Sequence, residues 1–402
     1  MAWLQTTVDD FSLASLTAGF VAVLVGYASS VAIIFQAASA FNATPAQLSS
    51  WMWALGIGMG LCTLIPSVLL KQPIICAWST PGAALLAAAS VGGQPFDMPH
   101  AVGAFMVCAM LIFLSGITGV FEKLMHRIPV AIASALLAGV LARFGINAFG
   151  AAQTDLALVL LMLASYVVCK RFLPRYAIPV TLALATAWVM AQGQLNTAAL
   201  RFELAVPVFV MPAFSWSAAI SLALPLFIVT MASQNLPGVA AIQAAGYPAP
   251  VSKMMTLTGA MSAVLAPFGA FALNLAAITA AICMSPSAHD DASKRYTASI
   301  SAAFFYILVG TFGTAVASLL IAFPKPLVAC IAGLALLGTI ANALLTALQT
   351  EHHREAGIIT FLVVMSGISL GGIGAAFWGV VAGLGVQWVL GWRSKRAANQ
   401  RP

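Results

Sequence analysis

The chain has 402 residues, 62% of them hydrophobic and only 7% charged. An ordinary soluble domain carries about 25% Asp, Glu, Lys and Arg, so so few charges could not cover a water-facing surface; a water-soluble enzyme, a nucleic-acid binder and a disordered scaffold are excluded. The reading is an integral membrane protein, and the formal charge of +7 reflects the Lys and Arg that such proteins concentrate in cytoplasmic loops.

A membrane helix needs roughly 20 apolar residues. Apolar runs between polar breaks give about fourteen spans: 12–40, 46–70, 74–91, 100–121, 128–148, 155–173 and 177–192, then 217–244, 250–266, 268–285, 297–322, 325–348, 356–373 and 375–392. The fold class is therefore an all-α polytopic membrane protein. The segment 193–216, with Arg201, Glu203 and two prolines, joins a first half (1–192) to a second (217–402). No Gly-rich loop ending in Gly-Lys-Ser/Thr occurs, so ATP is not the energy source. The first residues lack a basic region, so no cleaved signal peptide is expected. Cys62, Cys76, Cys108, Cys169, Cys283 and Cys330 all lie in apolar runs without a C-x-x-C pair and read as free thiols, with no metal site.

With the N-terminus in the cytoplasm, only Arg143, Arg201 and Lys325 of the 17 Lys and Arg fall on the far side, leaving 17 − 3 = 14 inside. That is a positive-inside signal with both tails cytoplasmic. Phe35-Gln36-Ala37-Ala38 in span 1 recurs as Ile242-Gln243-Ala244-Ala245 in span 8, each followed by a proline turn. Seven spans per half make the repeat inverted, as in secondary transporters.

Spans 3 and 10 are broken. In span 3 the run Trp78-Ser79-Thr80-Pro81-Gly82 places a helix start, a Ser/Thr cap followed by Pro, in the middle of an apolar segment. The residues before it are expected to be extended, and only about ten after it helical. Span 10 repeats the plan from Pro267, with Asn274 as the expected cap. Two half-helices starting near the midplane would turn their N-termini, each worth about +0.5 charge, toward one another. Backbone freed at that depth is tolerated only where it lines a cavity. The plainer alternative is two long helices kinked at Pro81 and Pro267.

Candidate substrate contacts are Tyr27, Ser29 and Ser30 in span 1; Trp78, Ser79, Thr80 and Gly82 in span 3; Gln234 and Asn235 in span 8; and Phe271, Asn274 and Leu275 in span 10. The serines and Tyr27 could equally bond neighbouring backbone. No Lys, Arg, Asp or Glu stands near the midplane. Neutral hydrogen-bonding groups beside aromatic rings suit an anion with an apolar body, such as a hydrophobic organic carboxylate; no cofactor is implied.

On the stretches Ala77-Trp78-Ser79-Thr80-Pro81-Gly82, Ser233-Gln234-Asn235-Leu236-Pro237-Gly238 and His289 to Tyr296, the chain resembles the benzoate:proton symporter family along essentially its full length. The resemblance implies a fold similar to the nucleobase and sulfate-permease carriers, with a core domain of spans 1–4 and 8–11 and a gate domain of spans 5–7 and 12–14. It also implies elevator-type alternating access in a cell (inner) membrane, and a homodimer. Nucleobase carriers place glutamates where this chain has Gln234 and Leu273, and a stacking aromatic where it has Trp78. Sulfate permeases carry a soluble C-terminal domain, whereas this chain ends ten residues after Trp392.

A carboxylic acid with a pKa near 4 is an anion at pH 7, and importing it against an inside-negative potential costs roughly 2.3 kcal/mol per 100 mV. One accompanying proton removes that cost, so the expected partners are an aromatic carboxylate and protons, within a lipid membrane. With no carboxylate or histidine at the midplane, proton and substrate are expected to share the site. His289, Asp290 and Asp291 are expected to cap the next helix and pair with Lys294 or Arg295. Arg143 is expected to snorkel to the interface, with attraction of anions as the alternative. The cluster Glu122, Lys123, His126 and Arg127 reads as a solvated cytoplasmic anchor, and Gly56-x-x-x-Gly60 as a close helix contact.

Overall fold

A computed structural model describes residues 10–89, 96–120, 130–370 and 373–398, without the side chains of Arg175 and of residues 391 onward. The cluster at 122–127 lies outside the described residues.

Local chemistry sets the helix starts. Helix α1 (Leu13–Ala40) opens with a reciprocal cap between Ser12 and Ser15, and α2 (Pro45–Leu70) with one between Thr44 and Gln47. Asp97 caps α4 (Met98–Ile117). Next come α5 (Val130–Gly150), α6 (Leu156–Phe172) and α7 (Ala177–Ala191). Helix α8 is a run over Trp216–Ala244, loosened into π turns at Ala219–Ala223 and Met231–Asn235, where Pro225 and Pro237 lie close by and cannot donate to the regular ladder. Helix α9 (Val251–Leu265) precedes the second break. The chain ends in α11 (Tyr296–Thr311), α12 (Gly313–Ala322), α13 (Lys325–Leu348), α14 (Arg354–Ser366) and α15 (Ala375–Ala398).

Six of these helices are singly long and apolar enough to cross a membrane, and α11 with α12, bent by 64°, makes a seventh such unit. Of the remainder, α15 is long but its apolar part covers only Ala375–Leu390, and the others are shorter, so this is a mostly helical membrane protein in which length and apolarity identify only part of the expected spans.

The two breaks meet. Strand β1 (Cys76–Trp78) leads into α3 (Thr80–Ala88), and β2 (Leu273–Leu275) precedes α10 (Ile278–Met284). The strands pair antiparallel, Cys76 opposite Leu275, Ala77 opposite Asn274 and Trp78 opposite Leu273. Ser79 caps α3 as expected from the sequence, accepting the Gly82 N–H at 3.0 Å. The expectation for Asn274 is corrected: it sits in the middle of β2, and α10 starts after Ala277 without a side-chain cap. A strand pair leaves edges to be satisfied, and packed helices supply the partners that water cannot. Thr63 of α2 accepts the Cys76 N–H at 2.9 Å and Ser67 donates to the Ile74 carbonyl at 3.0 Å. Ser262 of α9 accepts the Leu273 N–H at 3.0 Å, and Asn235 of α8 accepts that of Leu275 at 2.9 Å.

Helix α2 packs along α11, α4 along α9, and α5 along both α13 and α14. Gly56 and Gly60 do mark a close contact: a Cβ on Gly56 would lie 2.5 Å from the Gly310 Cα of α11. The joint 193–216 is an ordered strap, with backbone bonds from Ala205 to Thr311, Val210 to Pro267 and Ala213 to Pro99. All six cysteines are free and buried.

Candidate functional site

A cavity of about 110 Å³ opens where the breaks meet, walled by Tyr27, Ser29 and Ser30 of α1, Met59 of α2, Ala77, Trp78 and Thr80 of the first break, Ala276, Ile278 and Thr279 of the second, and Tyr306 of α11. A single water needs roughly 10–15 Å³ by this measure, so the space suits one ring-sized molecule. Tyr27 meets Trp78 edge to face with ring centroids 4.6 Å apart, and Tyr306 lies 6.1 Å from Tyr27. The Trp78 indole N–H donates to the Ser30 hydroxyl at 2.9 Å, and Ser30 donates onward to the Gly26 carbonyl at 2.8 Å. This fixes the indole plane as a wall.

Of the residues singled out from sequence, Tyr27, Ser29, Ser30, Trp78 and Thr80 are brought together here. Ser79 and Gly82 lie just behind. The Ser79 hydroxyl accepts from Gly82 and from Thr230 of α8, the latter at 2.8 Å, and a Cβ on Gly82 would meet Leu226 at 2.5 Å.

The others lie elsewhere. Phe271 is fully buried between Trp51 and Phe105, at centroid distances of 5.8 and 5.7 Å; it is part of the core packing and does not wall the cavity. Asn235 spends its carbonyl oxygen on Leu275 and its amide on the Met231 sulfur, so both Asn235 and Leu275 serve the strand edge. Asn274 donates to the Ala272 carbonyl at 3.0 Å, and its Oδ1 is buried without a partner. Gln234 faces a separate, larger cavity of about 420 Å³ between α5, α8 and α13, which shares Ile278 with the central one.

Sequence reasoning missed Tyr306 and Thr279. One tyrosine in an apolar helix shows no facing until the helix is docked, and Thr279 was hidden by placing the second helix start at Asn274.

Arg143 does not stand free: its guanidinium donates to the Met365 carbonyl at 2.6 and 3.1 Å, closing the last turn of α14 where a cation is favoured. Asp291 caps the turn leading into α11 through Ser293. Lys294 pairs with Asp10 at 3.2 Å, while Arg295 donates to the carbonyls of His289 and Met284.

A mostly helical membrane fold with two broken segments meeting over a small, aromatic-walled cavity is that of a membrane transporter. The profile of the benzoate membrane transport protein family matches residues 9–389, and the chain belongs to that family. It is 47% identical over 376 residues to the inner membrane protein YdcO of Escherichia coli (strain K12), covering 94% of this chain and 95% of that one. It is 38% identical over 387 residues to the benzoate membrane transport protein of Acinetobacter baylyi, covering 96% and 98%. Among solved structures, the transmembrane domain of the cyanobacterium bicarbonate transporter BicA shares the fold with a TM-score of 0.59 at 15% identity, covering 92% of this chain and 97% of that one. SLC26A9 matches with a TM-score of 0.64 at 13% identity, covering 95% and 66%.

Proposed function

We propose that the protein imports benzoate or a similar aromatic carboxylate together with protons. The observation that carries this reading is the central cavity: ring-sized, walled by Tyr27, Trp78 and Tyr306, and lined by hydroxyl side chains with no charged group among the described residues. The aromatic body lies against Trp78, with its carboxyl group toward Thr80 and Thr279 at the starts of α3 and α10. Seven-plus-seven inverted symmetry is supported by the packing, since the pairs α2–α11 and α4–α9 exchange when each span is shifted by seven. A core of spans 1–4 and 8–11 then moves against a gate of spans 5–7 and 12–14. The cavity flanked by Pro174 and Ile178, and the one reaching Asn342 and Thr346, both open near helix ends that the charge count puts in the cytoplasm, which supports an inward-facing arrangement. Both termini are cytoplasmic, and two copies form the working unit.

The test is uptake of labelled benzoate into liposomes holding the purified protein, with and without an inward proton gradient, with uracil and sulfate as competitors. Gradient-dependent uptake blocked by unlabelled benzoate alone is expected. Absence of benzoate uptake, with transport of uracil or sulfate instead, would overturn the substrate and leave a nucleobase or inorganic-anion carrier of the same fold.

A further inference from the structure

We infer that the co-transported proton rides on the substrate's own carboxyl group, so that the species held in the central cavity is the neutral acid. This deepens the proposed aromatic-acid function and rests on it. Among the described residues no Asp, Glu, His, Lys or Arg lines the cavity. The titratable groups facing it are the phenols of Tyr27 and Tyr306, with the thiols of Cys76 and Cys283 buried nearby. Phenols and thiols are uncharged near neutral pH by their ordinary ranges, so no group here balances a carboxylate. A bare carboxylate in such a site pays the full desolvation penalty, which drives it toward protonation.

The helix start that would offset this charge is largely spent. In α3, Pro81 has no N–H, the Gly82 N–H goes to the Ser79 hydroxyl, and the Ala83 N–H goes to the Ser79 carbonyl, so Thr80 holds the only first-turn donor left uncommitted by these bonds. Helix α10 has just seven residues. What the cavity does offer is hydroxyls. Tyr27 and Thr279 are both buried and both line the cavity; the Tyr27 hydroxyl has no partner, and the Thr279 hydroxyl has only the Tyr306 phenol beside it. A hydroxyl donates and accepts at once, matching a carboxylic acid, which presents one O–H donor and one carbonyl acceptor; two acceptor-only carboxylate oxygens would leave that capacity unused. The step balances as one proton added to one carboxylate oxygen on entry from the outer solution, and returned to water on the cytoplasmic side.

The experiment is liposome uptake at fixed pH of ring-fluorinated benzoates of graded acidity, with benzenesulfonate, a permanent anion, as the control. If the acid is the bound species, apparent KM rises about tenfold for each unit by which the analogue's pKa falls, and benzenesulfonate enters at under one-tenth the benzoate rate. Tyr27→Phe is expected to raise the KM for benzoate several-fold while keeping that slope. A KM independent of analogue pKa, or benzenesulfonate carried within twofold of benzoate, overturns the inference while leaving benzoate transport standing. Failure of benzoate itself to be taken up overturns the underlying substrate reading instead.

Discussion

Asn235 shows how a residue chosen as a substrate contact can be read as framework. Its carbonyl is the partner of the fully buried Leu275 N–H, and stranding that donor costs about 1–3 kcal/mol. Asn235→Ala is expected to lower the thermal unfolding midpoint of the purified protein while leaving the KM for benzoate within about twofold; an unchanged midpoint would reject this role. Outside the spans, the Tyr296 hydroxyl (2.7 Å), against a smaller opposing effect of burial, and then Lys294 hold Asp10 below the usual carboxylate range. A lowered folded-state pKa contributes stability that is present above the unfolded value and lost as pH falls through the folded one. Acidification below about pH 4 should therefore loosen this tie, and Asp10→Asn should be less stable than the parent at pH 7 with a flatter acid limb in a pH-resolved melting series. Residues with local signatures were legible from sequence: the Ser79 cap works through three neighbouring positions. Asn274 and Phe271 were not, because one lies in a strand whose partner is 197 positions away (Ala77 opposite Asn274) and the other points to Trp51 and Phe105 on different helices.

At the level of elements, the glycines separate into those that hold helices together and those that do not. Gly56 meets the Gly310 backbone, whereas a Cβ on Gly338 of α13 would touch nothing within 4 Å. Gly56→Ala is expected to destabilise by about 1–3 kcal/mol through forced separation of α2 and α11, and Gly338→Ala to be neutral or stabilising by about 0.5–1 kcal/mol through helix propensity. Thermal melts of the two variants side by side decide it, and similar shifts would remove the packing argument. The break in span 3 was readable because a proline after a cap is local grammar. The break in span 10 was placed at the right segment but the wrong residue, since Gly269, at φ +102° and hard against Trp51, starts the turn and β2 intervenes before the helix. The pairing of the two breaks had no signal in either segment alone.

For the whole molecule, the alternating access proposed above predicts contacts that form and break between α8 and the turn after α14. One is visible: the Gly374 N–H donates to the Ser221 hydroxyl at 3.2 Å, and a Cβ on Gly374 would lie 3.9 Å from that of Ser221. This is within the roughly 3.5–4.5 Å that a disulfide spans. The pair Ser221→Cys with Gly374→Cys is expected to crosslink under oxidation, reduce benzoate uptake at least tenfold, and recover on reduction. Full transport in the crosslinked protein would rule out relative motion at this contact. The membrane class and the family were legible from composition and three short stretches; which faces the helices turn to one another was not, because nearly uniform apolar composition carries no periodic contrast.

The β1–β2 pair also constrains how the protein is made. Cys76 emerges from the ribosome 275 − 76 = 199 residues before Leu275, an interval of about 10–40 s at roughly 5–20 residues per second. Throughout it the first strand has no mate, and unpaired backbone is costly in hydrocarbon. The nascent first half is then a natural client for insertase or chaperone cover until its counterpart arrives. Two co-expressed half-chains split within the strap should assemble only when synthesised together.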